Sequence, residues 1–306
     1  MTKGLVHVDL FTDPACPFGF SAEPDILALK WLYGDQLEWN TRFVVLSEKA
    51  GENEAKGLTV EMIEAGRAML REKYRMPLGT DKLPHMLVAK PADIAIKAVQ
   101  LNEPAKADRF TRALRVAWHS DARPIDDQNV ILKVASESGI DRGALTRWLE
   151  QPEVAAALEA DKVAARSPHP AALVLDHKLA GPGDERRYTC PSFEFAPVDD
   201  LEDIHSVPGF HDLLTYEAAI ANTVPAIVRA EPALDPLDVL EWADWPLATV
   251  EVARVMGVSD EVAEAALAET DAINERGYWS MPSGNQDQLA AGPASADRLV
   301  GSTRVG

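Results

Sequence analysis

The alternation of apolar and polar positions opens the chain with a short strand, a proline-rich turn and a helix. Leu5 to Phe11 alternates loosely and is rich in Val and Leu, the pattern of a buried strand. From Phe20 to Tyr33 apolar residues return at helical spacing, at Ile26, Leu27, Leu29, Trp31 and Leu32. Pro24 falls in the first turn, where a missing N–H does no harm, and Gly34 supplies a stop. Leu37 to Leu46 reads as a second strand with Val44 and Val45 deep. Strand, helix and strand in this order imply two parallel strands joined by a right-handed crossover.

From Thr59 to Ala165 the pattern is wholly helical. Thr59 is placed to cap a helix that buries Met62, Ile63, Met69 and Leu70. Pro91 starts another, and more are predicted over Ala105–His119, Asp126–Ser138, Arg142–Glu150 and Glu153–Ala165. Strand character returns weakly at Ala171–Leu175 and clearly at Tyr188–Phe195, where Pro191 marks an edge or a cis bond. Helices follow at Leu213–Ala230 and Leu237–Ala243. Pro246–Thr270 then holds a helix, a Gly257 turn, a Ser259 cap and a second helix, with Gly277–Met281 as a short wing strand. That second helix bears Asp260, Glu261, Glu264 and Glu269 and no Lys or Arg, which argues against docking on phosphates. The Gly-, Ser- and Ala-rich stretch from Pro282 reads as a disordered tail.

Charge narrows the partners. With 30 basic against 49 acidic residues the net charge is −19, which excludes non-specific binding to nucleic acid or anionic membranes. No stretch approaches the roughly 18 apolar residues of a membrane span. The N-terminal MTKGLVHVDL is too short an apolar run for a signal peptide, so a soluble cytoplasmic protein is expected. Oligomeric state stays open, a homo-oligomer included. Only Cys16 and Cys190 carry thiols, which is no disulfide scaffold in a reducing compartment. Cys16 stands between the turn and a helix start, where free N–H groups stabilise a thiolate. There is no glycine-rich phosphate loop, G-x-S-x-G or H-E-x-x-H; Glu241, Asp244 and the Asp199–Asp203 acidic run read as solvated surface.

Two motifs together, Asp13-Pro14-Ala15-Cys16-Pro17-Phe18-Gly19 and Thr189-Cys190-Pro191-Ser192, give the chain a resemblance. It resembles the DsbA-like branch of the thioredoxin superfamily over Leu5 to about Thr223, and more distantly the kappa-class glutathione transferases and hydroxychromene-carboxylate isomerases. The resemblance implies an α/β fold. A thioredoxin-like domain would comprise residues 1–58 and 168–212, with a large helical insertion at 59–167. A C-terminal helical, winged-helix-like extension would follow at 213–281, then the tail at 282–306. It further implies Cys16 as nucleophile, Pro191 as a cis-proline, and Pro17, Phe18, Thr189 and Pro191 as substrate contacts. The chain departs from the pattern at Gly19, which replaces the second cysteine of Cys-Pro-x-Cys. In the superfamily the residue before the cis-proline faces the nucleophile; here that residue is Cys190, which the resemblance brings to Cys16 as a catalytic partner.

Four chemistries stay open at this point. The pair can run thiol–disulfide exchange on a disulfide or small molecule. It can serve a transferase or isomerase that uses a low-molecular-weight thiol as cofactor, with Met62, Met69, Met86, Trp118 and Trp148 lining an apolar pocket. It can hold a soft metal, Cu, Zn or Fe, on Cys16 and Cys190 with help from His85, His169 or His177. Or the domain is a non-catalytic binding module. If the two sulfurs can bond, oxidation closes a very long loop worth about 4–5 kcal/mol of chain entropy. The oxidised protein is then expected to melt measurably above the reduced one in calorimetry; equal melting temperatures would show that no such bond forms.

Overall fold

The computed structural model describes residues 4–282, so nearly all of the expected tail lies outside the described residues. The chain begins with β1 (Val6–Thr12), α1 (Pro17–Ser21), α2 (Glu23–Tyr33) and β2 (Leu37–Phe43). The insertion runs through α3 (Glu52–Ala55), α4 (Val60–Tyr74), α5 (Lys90–Asn102), α6 (Ala107–His119), α7 (Gln128–Glu137), α8 (Arg142–Trp148) and α9 (Pro152–Ala165). Then come α10 (Pro170–Leu173), β3 (Leu179–Ala180), β4 (Arg187–Tyr188), β5 (Ser192–Pro197), β6 (His205–Val207) and α11 (Leu213–Thr223). The C-terminal part holds α12 (Pro236–Ala243), β7 (Leu247–Ala248), α13 (Thr249–Met256), α14 (Asp260–Ala268), β8 (Ile273–Glu275) and β9 (Tyr278–Ser280).

The main sheet has the order β2-β1-β5-β6. β1 pairs parallel with β2 and antiparallel with β5, and β5 antiparallel with β6. Because side chains alternate across a strand, one face of β1 and β5 presents Val6, Val8, Leu10, Phe193 and Phe195 to α2 and α11. The other face carries His7, Asp9, Arg42 and Glu194, a polar layer in which Arg42 binds Asp9 at 2.9 Å. The insertion has a core of its own, centred on Ile96, Val99, Phe110, Leu114 and Val134, and reaches the sheet edge through Phe43. This is the thioredoxin-like α/β fold with a helical insertion that the motifs implied.

Several elements differ from the sequence reading, each for a local reason. The first helix starts at Pro17, not Phe20, and Ala22 separates it from α2 because Pro24 has no N–H to continue the ladder. β2 stops at Phe43, although Val44 and Val45 are buried as expected. Thr59 caps α4, but Met62 and Met69 are 55% and 51% exposed. The buried stripe runs instead through Arg67 and Leu70, and Arg67 donates to the His119 carbonyl at 2.7 Å. Ala171–Leu175 is no strand: His169 caps a short helix there by accepting from Ala171 N–H. The expected strand Tyr188–Phe195 is interrupted at Thr189–Pro191 and becomes β4 and β5. Leu213–Thr223, grouped by sequence with the C-terminal extension, lies on the sheet as α11.

The C-terminal unit is a helix-turn-helix with a wing. Gly257 turns the chain at a φ of 66°, Ser259 caps α14, and β7, β9 and β8 form a three-stranded sheet. Val252 and Val255 of α13 join the same core as Leu29 and Leu32 of α2. A buried ion pair fastens this unit to the insertion: Arg112 Nη2 of α6 lies 2.6 Å from Glu251 Oε2, with side chains 5% and 1% exposed. Glu251 also accepts the Ala248 N–H at 2.7 Å. Removing one partner strands a buried charge, so Glu251→Ala is expected to lower stability by about 3–5 kcal/mol in denaturant unfolding. A loss under about 1 kcal/mol would mean that the pair does not hold the two units together.

Candidate active site

The local sequence builds a rigid perch for Cys16. Asp13, fully buried, turns its carboxylate back to accept N–H from Ala15 and from Leu46, both at 2.8 Å. His119 Nε2 donates to the Pro14 carbonyl at 3.0 Å while its ring stacks on Phe20. Burial pushes His119 down to about 3, so it is a neutral tether. Pro17 starts α1 and leaves Cys16 as its N-cap residue.

Cys190 meets Cys16 from the other side. The Cys190–Pro191 peptide is cis. Ser192 Oγ donates to the Thr189 carbonyl at 2.7 Å and accepts Gly209 N–H at 2.9 Å, which fixes the loop. Cys16 Sγ lies 3.6 Å from the Cys190 carbonyl, and both cysteines are free thiols, 7% and 8% exposed. Phe11, Val44, Ala172, Leu179 and Tyr188 enclose the two sulfurs in one cluster.

The electrostatics divide the pair. The hydrogen bond from Cys190 holds the Cys16 thiol below its ordinary range, burial and the Asp13 charge oppose this, and the Gly19 and Phe18 N–H groups assist. Cys190 is pushed well above its ordinary range by burial first, then by Cys16 and Asp13. The two sulfurs are thus pushed in opposite directions, Cys16 towards the more acidic side.

The remaining expected site residues are less uniform. Phe18 is 42% exposed beside the sulfur. Pro17 borders a groove of about 170 Å³ that also touches Leu46, Ile63, Met86, Trp118 and Arg187. Of the five expected pocket residues only Met86 and Trp118 line it; Trp148 packs in the insertion core. Thr189 spends its hydroxyl on the Lys178 carbonyl at 2.8 Å. The histidines do not gather at the thiols. His85 binds Asp126 at 2.8 Å and His169 caps α10. Among the described residues no three His, Cys, Asp or Glu side chains form a metal-sized cluster.

Sequence reasoning missed Thr12, Asp13, Asp93 and Arg115. A Cβ at Gly19 would sit 2.9 Å from Thr12 Oγ1, which accepts Arg115 Nη2 at 2.8 Å. Arg115, 3% exposed, also pairs with Glu23. A side chain at the place of the second motif cysteine would thus press on the Thr12 hydroxyl, which Arg115 holds. The available signal was the spacing of Arg112, Arg115 and His119 on the apolar face of α6.

Sheet, cis-proline loop and helix-capping cysteine together define a thioredoxin-fold thiol protein. Residues 10–180 match the Thioredoxin family model, more than half of the chain, and the chain belongs to that family. It is similar to a candidate protein disulfide isomerase from Nitrosomonas europaea, at 16% identity and TM-score 0.53 over 72% of this chain and 96% of that one. It is also similar to a candidate DsbA oxidoreductase from Streptomyces coelicolor, at 16% identity and TM-score 0.52 over 75% of this chain and 94% of that one. These likenesses bear out the DsbA-like fold. A curated relative, the ClpXP adapter protein SpxH of Shouchella clausii (strain KSM-K16), is 27% identical over 279 residues, 87% of this chain and 82% of the relative.

The split between the thiols has a direct readout. Iodoacetamide is expected to label Cys16 with a midpoint below the ordinary thiol value of about 8.5, and Cys190 only above it. Peptide mass mapping across pH checks this; equal labelling of both sulfurs would contradict the assignment.

Proposed function

We propose that the protein is a thiol–disulfide oxidoreductase in which Cys16 is the nucleophile and Cys190 resolves. The observation that carries this reading is the pair of free, adjacent thiols with opposite acidities. The Cys16 thiolate attacks one sulfur of a substrate disulfide; that S–S bond breaks and the other substrate sulfur leaves as thiolate. Cys190 gives its proton to the leaving thiolate and attacks Cys16 of the mixed disulfide. The Cys16–Cys190 bond forms, the second substrate sulfur departs, and two electrons have passed to the substrate. A low-molecular-weight thiol restores the pair. The groove beside Pro17 suits an apolar portion of the substrate. Two unbridged cysteines fit work in a reducing cytoplasm.

A second reading rests on the SpxH likeness. It spans more of the chain than the thioredoxin match does, and so takes in C-terminal residues beyond 180. In that reading the chain presents a protein to a protease, and the thiols serve binding or sensing. The two separate in one assay with bis(2-hydroxyethyl) disulfide. Cys190→Ser is expected to trap a mixed disulfide on Cys16, seen as an intact-mass gain, while the wild type goes on to the internal bond. Unchanged disulfide reduction by Cys16→Ser would remove the oxidoreductase reading and leave the adapter.

A further inference from the structure

Asp93 lies in the first turn of α5, on the insertion, and Asp13 in the loop that carries Cys16. Both are 0% exposed. Asp13 takes the two backbone N–H groups described above. Asp93 takes none: neither of its oxygens has a donor. The group within hydrogen-bonding reach of Asp93 is the Asp13 carboxyl itself. Two carboxylates only accept, and two ionised carboxyls in contact repel. A single proton between them turns that repulsion into a charge-assisted O–H···O bond.

The surrounding charges do not offer another solution. Arg115 from α6 and Arg187 from β4 face Asp13. Lys97 of α5 and Asp161 of α9 face Asp93, and Arg42 of β2 faces Asp161. Lys97 is committed to Asp161 at 2.5 Å, Arg115 to Glu23 and Thr12, and Arg187 donates to the Tyr188 carbonyl at 2.8 Å. Cys16 and Cys190 are the other titratable neighbours of Asp13.

We infer that Asp93 is a positioning residue for the thiol site: with Asp13 it forms one proton-sharing clamp between the insertion and the Cys16 loop, and the clamp's charge acts on both thiols. This rests on the reading of Cys16 as the reactive thiol. At neutral pH the clamp holds one proton and one negative charge. Burial lifts Asp13 to about 6 and pushes Asp93 well above the ordinary carboxylate range. As pH falls through that region the clamp takes a second proton and turns neutral. The negative charge beside Cys16 disappears, and its thiolate becomes easier to form.

Two measurements test this. In wild-type protein with 13C-labelled aspartate, the Asp13 and Asp93 carboxyl carbons should titrate together, both above the ordinary Asp value of about 3.9. Independent titration of both in the ordinary range would overturn the clamp, whatever the thiols do. In Asp93→Asn the amide donates to Asp13, which then stays charged to lower pH. The ratio of Cys16 labelling by iodoacetamide, wild type over Asp93→Asn, should be near one at about pH 8 and rise severalfold towards about pH 5. A ratio constant with pH would overturn the link to the thiols while leaving Cys16 as nucleophile. No Cys16 labelling in either protein would remove the nucleophile itself, and the carbon titration would still decide the clamp. If Asp93→Asn does not fold, Asp13→Asn takes its place: its amide donates to Asp93, so the clamp's negative charge moves off the carboxyl that faces Cys16, and Cys16 labelling should exceed wild type at about pH 8; equality there would overturn the link.

Discussion

The Asp13 carboxylate gathers hydrogen bonds from both sides of the cleft mouth, Ala15 N–H in the cysteine turn and Leu46 N–H beyond β2. Those two bonds explain several features at once. They close the turn that delivers Cys16 to the start of α1. They also draw the chain off β2 just after Phe43, and Val45 accepts a φ of 55°, rare for a branched residue, to make the bend. The bend sends the chain into the insertion, which returns Asp93 against the carboxylate that started it. Cysteine turn, strand end and domain junction are held by one buried side chain.

Much of this was legible. Helical periodicity placed most of the insertion helices within a few residues, and the two Cys-Pro motifs implied the fold. What misled was polarity on buried faces. Met62 and Met69 look like core and Arg67 like surface, yet the arginine goes inside because the His119 carbonyl awaits it. Likewise Asp93 and Lys97 sit four apart in the apolar stripe of α5, a spacing that signals buried charge, but not which acids will face it. Gly19 was read as a missing thiol. The structure adds that the Thr12 hydroxyl lies against that position, held by Arg115, a pairing that only the fold brings together.

The ion pairs along α6 connect parts that the motifs treat separately. Arg115 reaches the strand that precedes the cysteine turn, and Arg112 reaches the winged unit. Glu23, at the start of α2, lies between the two arginines. Such pairs add little net stability over an apolar filling, but they tolerate few alternative packings, since any shift leaves a charge unmatched. They fix orientation where apolar contacts alone would let helices slide.

α2 is buried on two sides. Ile26, Leu27, Leu29 and Leu32 share one core with the strands, with α11 and with Val252 and Val255 of the winged unit. In a free-standing domain of this kind the outer side of such a helix would meet water. Here it is sealed by residues some two hundred positions downstream. The segment that matches the family is therefore not a transplantable module in this protein. Cutting the chain after α11 would open an oily seam along the very helix that follows Cys16, so the sheet part and the winged part have to be expressed and engineered as one piece.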